Sequence, residues 1–307
     1  MQVFVIYDKA VTDYAGRIAK DRRAAALFAI DAKEENKTLD TVRDICSWLL
    51  EQKADRHSVL LAVGGGITSD IVGFAAAIYK RGIRYESYPT TLLSQVDASI
   101  GGKTGVNLDG VKNALGSFHK PSKVHRKSKT LRTLPREEAL SGLAELLKTF
   151  LIASARDYRK AVEVFSKEDV NLGSWKVRTL IRRAARIKRV ICGLDPRERK
   201  LRKVLNLGHT YGHAIELSSG LPHGKAVAIG IIQTARLAAR LGYEDITQTL
   251  IKDFAACGLP TALPEGCTIS RALLLNDKKA EDGVITMALP VRIGKVALVK
   301  VGPDWLE

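Results

Sequence analysis

The fold class follows from residues 58–82, which read SVLLAVGGGITSDIVGFAAAIYKRG. Residues 58–63 form an apolar run of strand length, and three consecutive glycines follow it. Thr68 or Ser69 is then predicted to cap a helix that carries apolar residues at three- and four-residue spacing and ends at Gly82. A buried strand that runs directly into a helix is the repeating unit of an α/β fold.

The same alternation continues on both sides of this unit. Residues 3–7 and 84–88 are predicted strands, and Thr38 is predicted to cap a helix whose apolar side begins at Leu39. Strand, helix and strand in this order predict a parallel sheet that is covered by helices.

The pattern changes after Pro135 and becomes almost entirely helical. The predicted helices span 137–153, 175–192, 207–217, 224–241 and 245–257, and the predicted strands that close the chain span 285–288 and 295–301. The stretch 119–135 is polar and basic, so we place a domain boundary there. The sequence therefore predicts an α/β domain over residues 1–134 and a mostly α-helical domain over residues 135–307.

The charge of the chain stands out against an ordinary globular composition. Of the 307 residues 46% are hydrophobic, which excludes disorder as the main state. Lys and Arg number 49 against 33 Asp and Glu, and the net charge of +16 predicts an anionic partner, either nucleic acid or a phosphorylated metabolite. No apolar run reaches about 18 residues, so no membrane-spanning helix is predicted. Scattered cysteines and an N-terminus without signal-peptide features favour the reducing cytoplasm.

Two glycine clusters in the first domain are candidate phosphate sites. Gly64, Gly65 and Gly66 lie between a strand and a helix, where free N–H groups favour an anion, although a tight turn also explains them. Asp70 follows in the first turn, either as a dipole-favoured carboxylate or as a ligand to a cofactor hydroxyl. The second cluster, residues 101–105, suits either a phosphate or an ordinary solvated loop. Polar residues around it are Asp97, Lys103, Lys112 and Asn113.

Three of the six histidines fall within fifteen residues and predict a metal site. His209 and His213 share a helix face at i and i+4, and His223 follows a turn. Upstream, Glu145 and Lys148 share a face of an otherwise apolar helix. An unpaired buried carboxylate is costly, and either a metal ion or a salt bridge to Lys148 removes that cost. The carboxylate and the third histidine together favour the metal.

A polar array leads up to the histidines. Its members, at spacings of 4, 4, 3 and 4, are Glu198, Arg202, Asn206, His209 and His213. If the segment is helical, they form one stripe, and Lys188 lies one predicted helix earlier. Asn and His in place of the usual Glu and Lys favour the lining of a site over a solvated face.

Six stretches of the chain, in this order, resemble the 3-dehydroquinate synthase family. They are GGGITSDIVGFAAAIYKRG, YPTTLLSQVDASIGGKTGVN, GVKNALGSF, SGLAELLK, LRKVLNLGHTYGHAIE and LPHGKAVAIG. The resemblance implies a Rossmann-like NAD-binding domain followed by a mostly α-helical metal- and substrate-binding domain, a fold shared with glycerol and iron-dependent alcohol dehydrogenases. The family usually has some tens of residues before the position of Val3, so the first domain is expected to be short at its N-terminus by a strand and a helix.

The resemblance also implies roles for individual residues. Glu145, His209 and His223 match the family's zinc ligands, with Co²⁺ as another possible ion, and His213 matches a histidine of the substrate site. Matches to other substrate or active-site contacts are Asp97, Lys103, Asn113, Lys148, Lys188, Glu198, Arg202, Asn206 and Lys278. Matches to NAD contacts are Asp8, Glu34, Lys37, Gly64, Gly65, Gly66, Asp70, Thr90, Thr91, Lys103 and Lys112. Arg81 resembles an arginine that reaches the phosphate site of the partner subunit in a homodimer.

The activity implied by the resemblance converts 3-deoxy-D-arabino-heptulosonate 7-phosphate to 3-dehydroquinate and phosphate, in the shikimate pathway. It proceeds by transient NAD-dependent oxidation, phosphate elimination, re-reduction and intramolecular aldol cyclisation. The alternatives are another sugar phosphate cyclase, or an NAD-dependent metal alcohol or polyol dehydrogenase of the same fold. A nucleic-acid-binding protein is a further alternative, but the sequence carries no RNP, KH or helix-turn-helix signature to favour it.

Overall fold

The computed structural model describes residues 1–269, 273–274, 280–281 and 284–305. Its contacts separate two units, Met1–Leu134 and Pro135–Glu307. The first unit is built on a parallel sheet, and the second is mainly helical. The structure thus confirms the predicted fold class.

A parallel sheet forms the centre of the first unit. Its strands are β1 Val3–Asp8, β2 Ala26–Ile30, β3 Val59–Gly64, β4 Arg84–Pro89 and β7 Lys123–Val124. They pair in the order β2-β1-β3-β4-β7. The helices of this unit are α1 Thr12–Arg22, α2 Leu39–Glu51 and α3 Gly66–Ile78. Between β4 and β7, β5 Lys103–Leu108 and β6 Val111–Phe118 form an antiparallel hairpin.

Alternation along the strands divides the core of the first unit into two layers. In β1, Phe4 and Ile6 pack in the layer that contains α2 and α3, whereas Val3 and Val5 pack in the layer that contains α1. Because helices cover both faces of the sheet, β3 is buried along its whole length. Gly64 is the last residue of β3 and lies at the carboxyl edge of the sheet, where open α/β folds bind their ligands.

The sequence predicts two helix caps in this unit, and the structure confirms one. The Thr38 hydroxyl accepts a hydrogen bond from the Thr41 N–H at 3.3 Å and caps α2. The prediction of a cap at Thr68 or Ser69 is wrong, because α3 already begins after Gly65 and both side chains are buried within the helix. The N-terminus of α3 has no side-chain cap at all.

The second unit contains a helical layer and a small antiparallel sheet. Its helices are α4 Arg136–Ala153, α5 Ala155–Phe165, α6 Trp175–Leu194, α7 His209–Ser219, α8 His223–Arg240 and α9 Thr247–Ala256. Its strands are β8 Ala280–Glu281, β9 Val284–Arg292 and β10 Lys295–Val301, paired in the order β10-β9-β8. All five predicted helices and the predicted strand pair are present with shifted ends, and α5 lies where no helix is predicted. No helix in the described part of the chain is long and apolar enough to cross a bilayer.

The predicted polar stripe from Glu198 to His213 is not one continuous helix. Glu198 has a φ of +55°, and only a short 3₁₀ turn, Leu201–Asn206, follows it. Gly208 then has a φ of +76°, which ends the turn and starts α7 in a new direction. Of the stripe, only His209 and His213 share a helix.

Candidate active site

A cluster of one carboxylate and two imidazoles lies among the helices of the second unit. Glu145 sits in the middle of α4, while His209 and His223 are the first residues of α7 and α8. Oε1 of Glu145 lies 3.8 Å from Nε2 of His209 and 3.5 Å from Nε2 of His223. One potential ligand atom from each residue lies within 4.8 Å of the others. The ring centroid of His213 lies 5.3 Å from that of His209, and His213 is outside this cluster.

The chemistry of the cluster fits a divalent metal ion. Glu145 is completely buried, and neither carboxylate oxygen has a hydrogen bond of acceptable geometry, although Nζ of Lys148 lies 2.5 Å from Oε2. A carboxylate in this position needs positive charge close by. A tetrahedral zinc ion with ligand distances of about 2.1 Å holds its ligands about 3.4 Å apart, close to the separations seen here. The residues present therefore suit zinc or a similar cation.

The protonation of these groups reflects the pairing of charges. Burial by itself raises the pKa of Glu145, but Lys148 and His223 outweigh it and hold that pKa well below its usual range. Burial lowers the pKa of His223, whereas the carboxylates of Glu145 and Glu216 raise it, to about 9 in total. Glu145 is thus ionised near neutral pH, as a metal ligand must be.

A polar loop before α7 brings together three more of the predicted site residues. The Asn206 side chain donates to Oε1 of Glu198 at 2.8 Å, and Nε of Arg202 lies 3.9 Å from Oε2 of Glu198. Arg202 is only 3% exposed and donates from Nη1 to the Pro196 carbonyl at 2.8 Å. The Asp195 carboxylate, which sequence reasoning missed, accepts backbone N–H bonds from Arg199, Lys200 and Arg202 and so shapes the loop. Lys188 is buried on α6.

A second polar network lies in the first unit. Nζ of Lys37 donates to Asp70 at 2.6 Å and to the Asn113 side chain at 2.5 Å. Asn107 extends the network, because its Oδ1 accepts from the Asn113 N–H at 2.8 Å and its Nδ2 donates to Glu34 at 2.8 Å. The network thus contains four predicted site residues and one residue, Asn107, that the sequence did not predict. The four are Glu34, Lys37, Asp70 and Asn113.

The carboxylate of Asp70 has an unusual environment within this network. Burial raises its pKa, the Lys37 ammonium opposes the increase, and the carboxylates of Glu34 and Asp97 add to it. The ion pair with Lys37 therefore lies among further negative charges, where an added hydrogen-bond donor is favourable.

The glycine loop gives the first unit an uncapped helix N-terminus. Gly64 ends β3, and α3 begins directly after Gly65. A Cβ on Gly64 would lie 2.3 Å from Oγ1 of Thr68, so only glycine allows this close turn. Because Gly65 supplies no side-chain cap, the first N–H groups of α3 lack that acceptor, and a helix N-terminus of this kind suits an anion. Nearby, the Thr90 N–H donates to the Gly64 carbonyl at 2.9 Å, and Thr91 follows it.

The remaining predicted residues occupy separate positions in the first unit. Asp8 ends β1 and accepts the Ala10 N–H at 3.0 Å, and Asp97 lies in the turn Ser94–Ala98. The glycine-rich segment 101–105 is a loop only up to Gly102, because Lys103 is the first residue of β5. Lys112 is exposed on β6, and Arg81 is exposed with a φ of +64°. Lys278 lies outside the described residues.

Most of the chain, residues 27–280, matches models of one protein family. The model described as 3-dehydroquinate synthase N-terminal matches residues 27–141, and the model described as 3-dehydroquinate synthase C-terminal matches residues 142–280. This chain belongs to the 3-dehydroquinate synthase family. The resemblance found in the sequence is thereby confirmed.

Curated relatives agree with the family models. The 3-dehydroquinate synthase of Prochlorococcus marinus (strain MIT 9211) is 37% identical over 97% of this chain and 84% of its own length. That of Synechococcus sp. (strain ATCC 27144 / PCC 6301 / SAUG 1402/1) is 41% identical over 94% of this chain and 83% of its own length. These relatives confirm the activity and the enzyme class that the sequence motifs predict.

Solved structures place the chain among related cyclases. The 2-epi-5-epi-valiolone synthase of Streptomyces hygroscopicus subsp. jinggangensis 5008, with NAD⁺ and Zn²⁺ bound, is 29% identical with a TM-score of 0.91 over 99% of this chain and 88% of its own. A 2-deoxy-scyllo-inosose synthase complexed with carbaglucose-6-phosphate, NAD⁺ and Co²⁺ is 26% identical with a TM-score of 0.87 over 99% of this chain and 89% of its own. A maleylacetate reductase from Agrobacterium tumefaciens, 17% identical with a TM-score of 0.68 over 91% of this chain and 84% of its own, shares the fold alone.

Proposed function

We propose that this chain is a 3-dehydroquinate synthase that converts 3-deoxy-D-arabino-heptulosonate 7-phosphate to 3-dehydroquinate and phosphate. The observation that carries the proposal is the cluster of Glu145, His209 and His223 in a chain of which both halves match the family. The reaction leaves no net change in the redox state of the enzyme, so NAD serves as a cofactor and is not consumed.

Glu145, His209 and His223 would hold a zinc ion, or Co²⁺ in its place. When bound, the metal supplies a Lewis acid that polarises an oxygen of the substrate. The fit rests on the buried Glu145 carboxylate and on the two imidazole nitrogens that face it. Lys148 keeps that carboxylate ionised and oriented from the other side.

The first unit would hold NAD at the carboxyl edge of its sheet. When bound, NAD supplies a reversible two-electron oxidation of the substrate. The uncapped N–H groups of α3 would bind the pyrophosphate of NAD. The carboxylates of Asp70 and Glu34 would accept hydrogen bonds from its hydroxyl groups. The residues that we assign to this site are Asp8, Glu34, Lys37, Gly64, Gly65, Gly66, Asp70, Thr90, Thr91, Lys103 and Lys112.

We assign the substrate contacts of the second unit to its polar residues. Arg202 and Lys188 are buried cations that suit the carboxylate and phosphate of a sugar acid phosphate. Asn206 and Glu198 form a paired donor and acceptor for its hydroxyls. His213, whose ring centroid lies 5.3 Å from that of His209, would move a proton.

We further propose a homodimer in which Arg81 contributes to the phosphate site of the partner subunit. Lys80 and Arg81 both have positive φ, at +47° and +64°, a backbone conformation that costs about 1–3 kcal/mol per residue and that recurs at functional sites as well as in turns. We place the enzyme in a reducing compartment, the cytoplasm, because its four cysteines are scattered along the sequence without a paired spacing.

The proposal is tested with purified protein, NAD and Zn²⁺. We expect stoichiometric release of phosphate and of 3-dehydroquinate from 3-deoxy-D-arabino-heptulosonate 7-phosphate, without accumulation of free NADH. Absence of phosphate release from the zinc- and NAD-loaded protein would overturn the assignment.

A second candidate is a cyclase that acts on a sugar phosphate without a carboxylate, and the likeness to the valiolone and inosose synthases favours it. The buried guanidinium of Arg202 argues for an acidic substrate instead. Sedoheptulose 7-phosphate and glucose 6-phosphate, assayed beside the heptulosonate phosphate, distinguish the two, because only the first candidate requires the carboxylate.

A further inference from the structure

The α7 helix carries a third polar residue on the face of its two histidines. Glu216 lies seven residues after His209 and three after His213, so all three share one side of the helix. Oε2 of Glu216 lies 3.2 Å from Nδ1 of His223, across the turn that joins α7 to α8.

The imidazole of His223 therefore has a carboxylate on each of its nitrogens. Nδ1 faces Glu216 at 3.2 Å, and Nε2 faces Glu145 at 3.5 Å. A nitrogen that binds a metal must present its lone pair, so a ligating Nε2 requires the single proton of the neutral ring to lie on Nδ1. In that tautomer, Nδ1–H donates to Glu216, and the hydrogen bond fixes the rotation of the ring.

The second histidine of the cluster is held in another way. Nδ1 of His209 faces the backbone carbonyl of Leu207 at 3.3 Å, an acceptor that no side-chain substitution removes. The side chain of His223 is 34% exposed against 15% for His209, so packing constrains it less. His223 thus faces two carboxylate side chains, of which Glu216 is the one outside the proposed set of metal ligands.

We propose that Glu216 is a positioning residue of the metal centre, which holds His223 as an Nε2 ligand by accepting a hydrogen bond from Nδ1. The inference rests on the metal site of the proposed function but does not depend on the reaction that the site catalyses. Carboxylates that support a metal-bound histidine typically contribute a factor of about 10–100 in metal affinity.

The test measures Zn²⁺ affinity directly, by competition between metal-free protein and a chromophoric chelator. We expect Glu216→Leu to weaken Zn²⁺ binding by about 10–100-fold. Glu216→Gln keeps an acceptor oxygen at nearly the same place, and we expect it to lose less than about tenfold. Glu163→Gln, an exposed glutamate on α5, controls for the loss of one negative charge and should bind Zn²⁺ like the wild type.

Wild-type affinity in Glu216→Leu would overturn the proposal, and so would equal losses in the Leu and Gln variants. The second readout is the ¹⁵N NMR spectrum of histidine-labelled wild-type protein loaded with zinc, which does not require the Leu variant to fold. It should show His223 bound through Nε2 with its proton on Nδ1, whereas ligation through Nδ1 would contradict the inference. A protein that binds zinc with this pattern but releases no phosphate would refute the proposed function and leave the role of Glu216 intact.

Discussion

Lys148 places its ammonium 2.5 Å from Oε2 of Glu145, one turn away on α4, and both side chains are almost completely buried. The two oxygens of this carboxylate have different neighbours, because Oε1 faces the imidazoles of His209 and His223. The ammonium of Lys148 thus neutralises one oxygen, and the other oxygen faces the two imidazoles of the candidate metal site. This arrangement allows a negative charge to lie in the apolar interior of α4 whether or not a metal ion is bound.

Lys148→Met should destabilise the metal-free protein much more than the zinc-loaded protein. Removal of one partner from a buried ion pair costs about 3–5 kcal/mol, because the other charge is left alone. A bound divalent ion supplies positive charge to the same carboxylate, so we expect less than half of that cost with Zn²⁺. Urea unfolding with and without Zn²⁺ measures both values, and Lys160→Met, exposed on α5, is the matched control. Equal losses under the two conditions would show that the metal does not reach Glu145.

His209→Ala should abolish both zinc retention and turnover. The substitution removes one of three ligands from a cluster whose remaining members are Glu145 and His223. We expect metal content near zero after dialysis and a fall of at least about 1000-fold in kcat, since the loss of a metal-bound Lewis acid removes several kcal/mol of transition-state stabilisation. Metal analysis and phosphate release are the measurements, and His57→Ala, exposed in the first unit, should change neither. Full activity in His209→Ala would refute the metal assignment.

Asp70→Asn should weaken NAD binding without changing the zinc content. The neutral amide can still accept a hydrogen bond from Lys37 but no longer neutralises its ammonium, which lies on a side chain that is only 5% exposed and that also holds Asn113. Loss of one partner from a buried hydrogen-bonded charge pair costs about 2–5 kcal/mol. Because part of this free energy is lost from the complex with NAD, we expect the Kd for NAD to increase at least about tenfold. NADH fluorescence titration measures it, with Asp44→Asn on the exposed side of α2 as the control. An unchanged Kd would place NAD elsewhere.

The sequence pattern predicts those parts of the fold in which burial is continuous. β3 and α3 are recognisable because both are almost wholly apolar, and α4 stands out because Glu145 and Lys148 interrupt an apolar helix. α1 and β2 escape prediction for the opposite reason. α1 buries only Ala15, Ile18 and Ala19, and β2 is an edge strand that is largely half-buried.

The residues that sequence reasoning missed act through contacts that form only in the folded chain. Asn107 joins Glu34 to Asn113, and no spacing marks it. Glu216 shares a helix face with His209 and His213, but its contact with His223 forms across the turn between α7 and α8. The predicted stripe through Glu198 failed because the backbone has positive φ at Glu198 and again at Gly208, with only a short 3₁₀ turn between them. Local spacing predicts the candidate metal ligands Glu145, His209 and His223, which the structure brings together, whereas the contacts that orient them depend on the folded chain.

Two helical glycines should respond in opposite ways to replacement by alanine. Gly16 is exposed within α1, and a Cβ there would meet nothing within 4 Å. Gly16→Ala should therefore stabilise the protein by about 0.5–1 kcal/mol, because alanine loses less backbone entropy in a helix. Gly230 lies on α8, where a Cβ would be 2.2 Å from the Gly208 carbonyl oxygen and 2.7 Å from the Gly212 nitrogen.

Gly230→Ala should cost at least about 2 kcal/mol, because backbone atoms cannot move aside as a flexible side chain can. It should also weaken Zn²⁺ binding, since His209 and His223 begin the two helices, α7 and α8, that the new methyl group would push apart. Urea unfolding and zinc competition measure the two effects, with Gly16→Ala expected to leave Zn²⁺ affinity unchanged. If Gly230→Ala kept both its stability and its Zn²⁺ affinity, the close packing of α7 on α8 would not be what fixes the spacing of the two histidines.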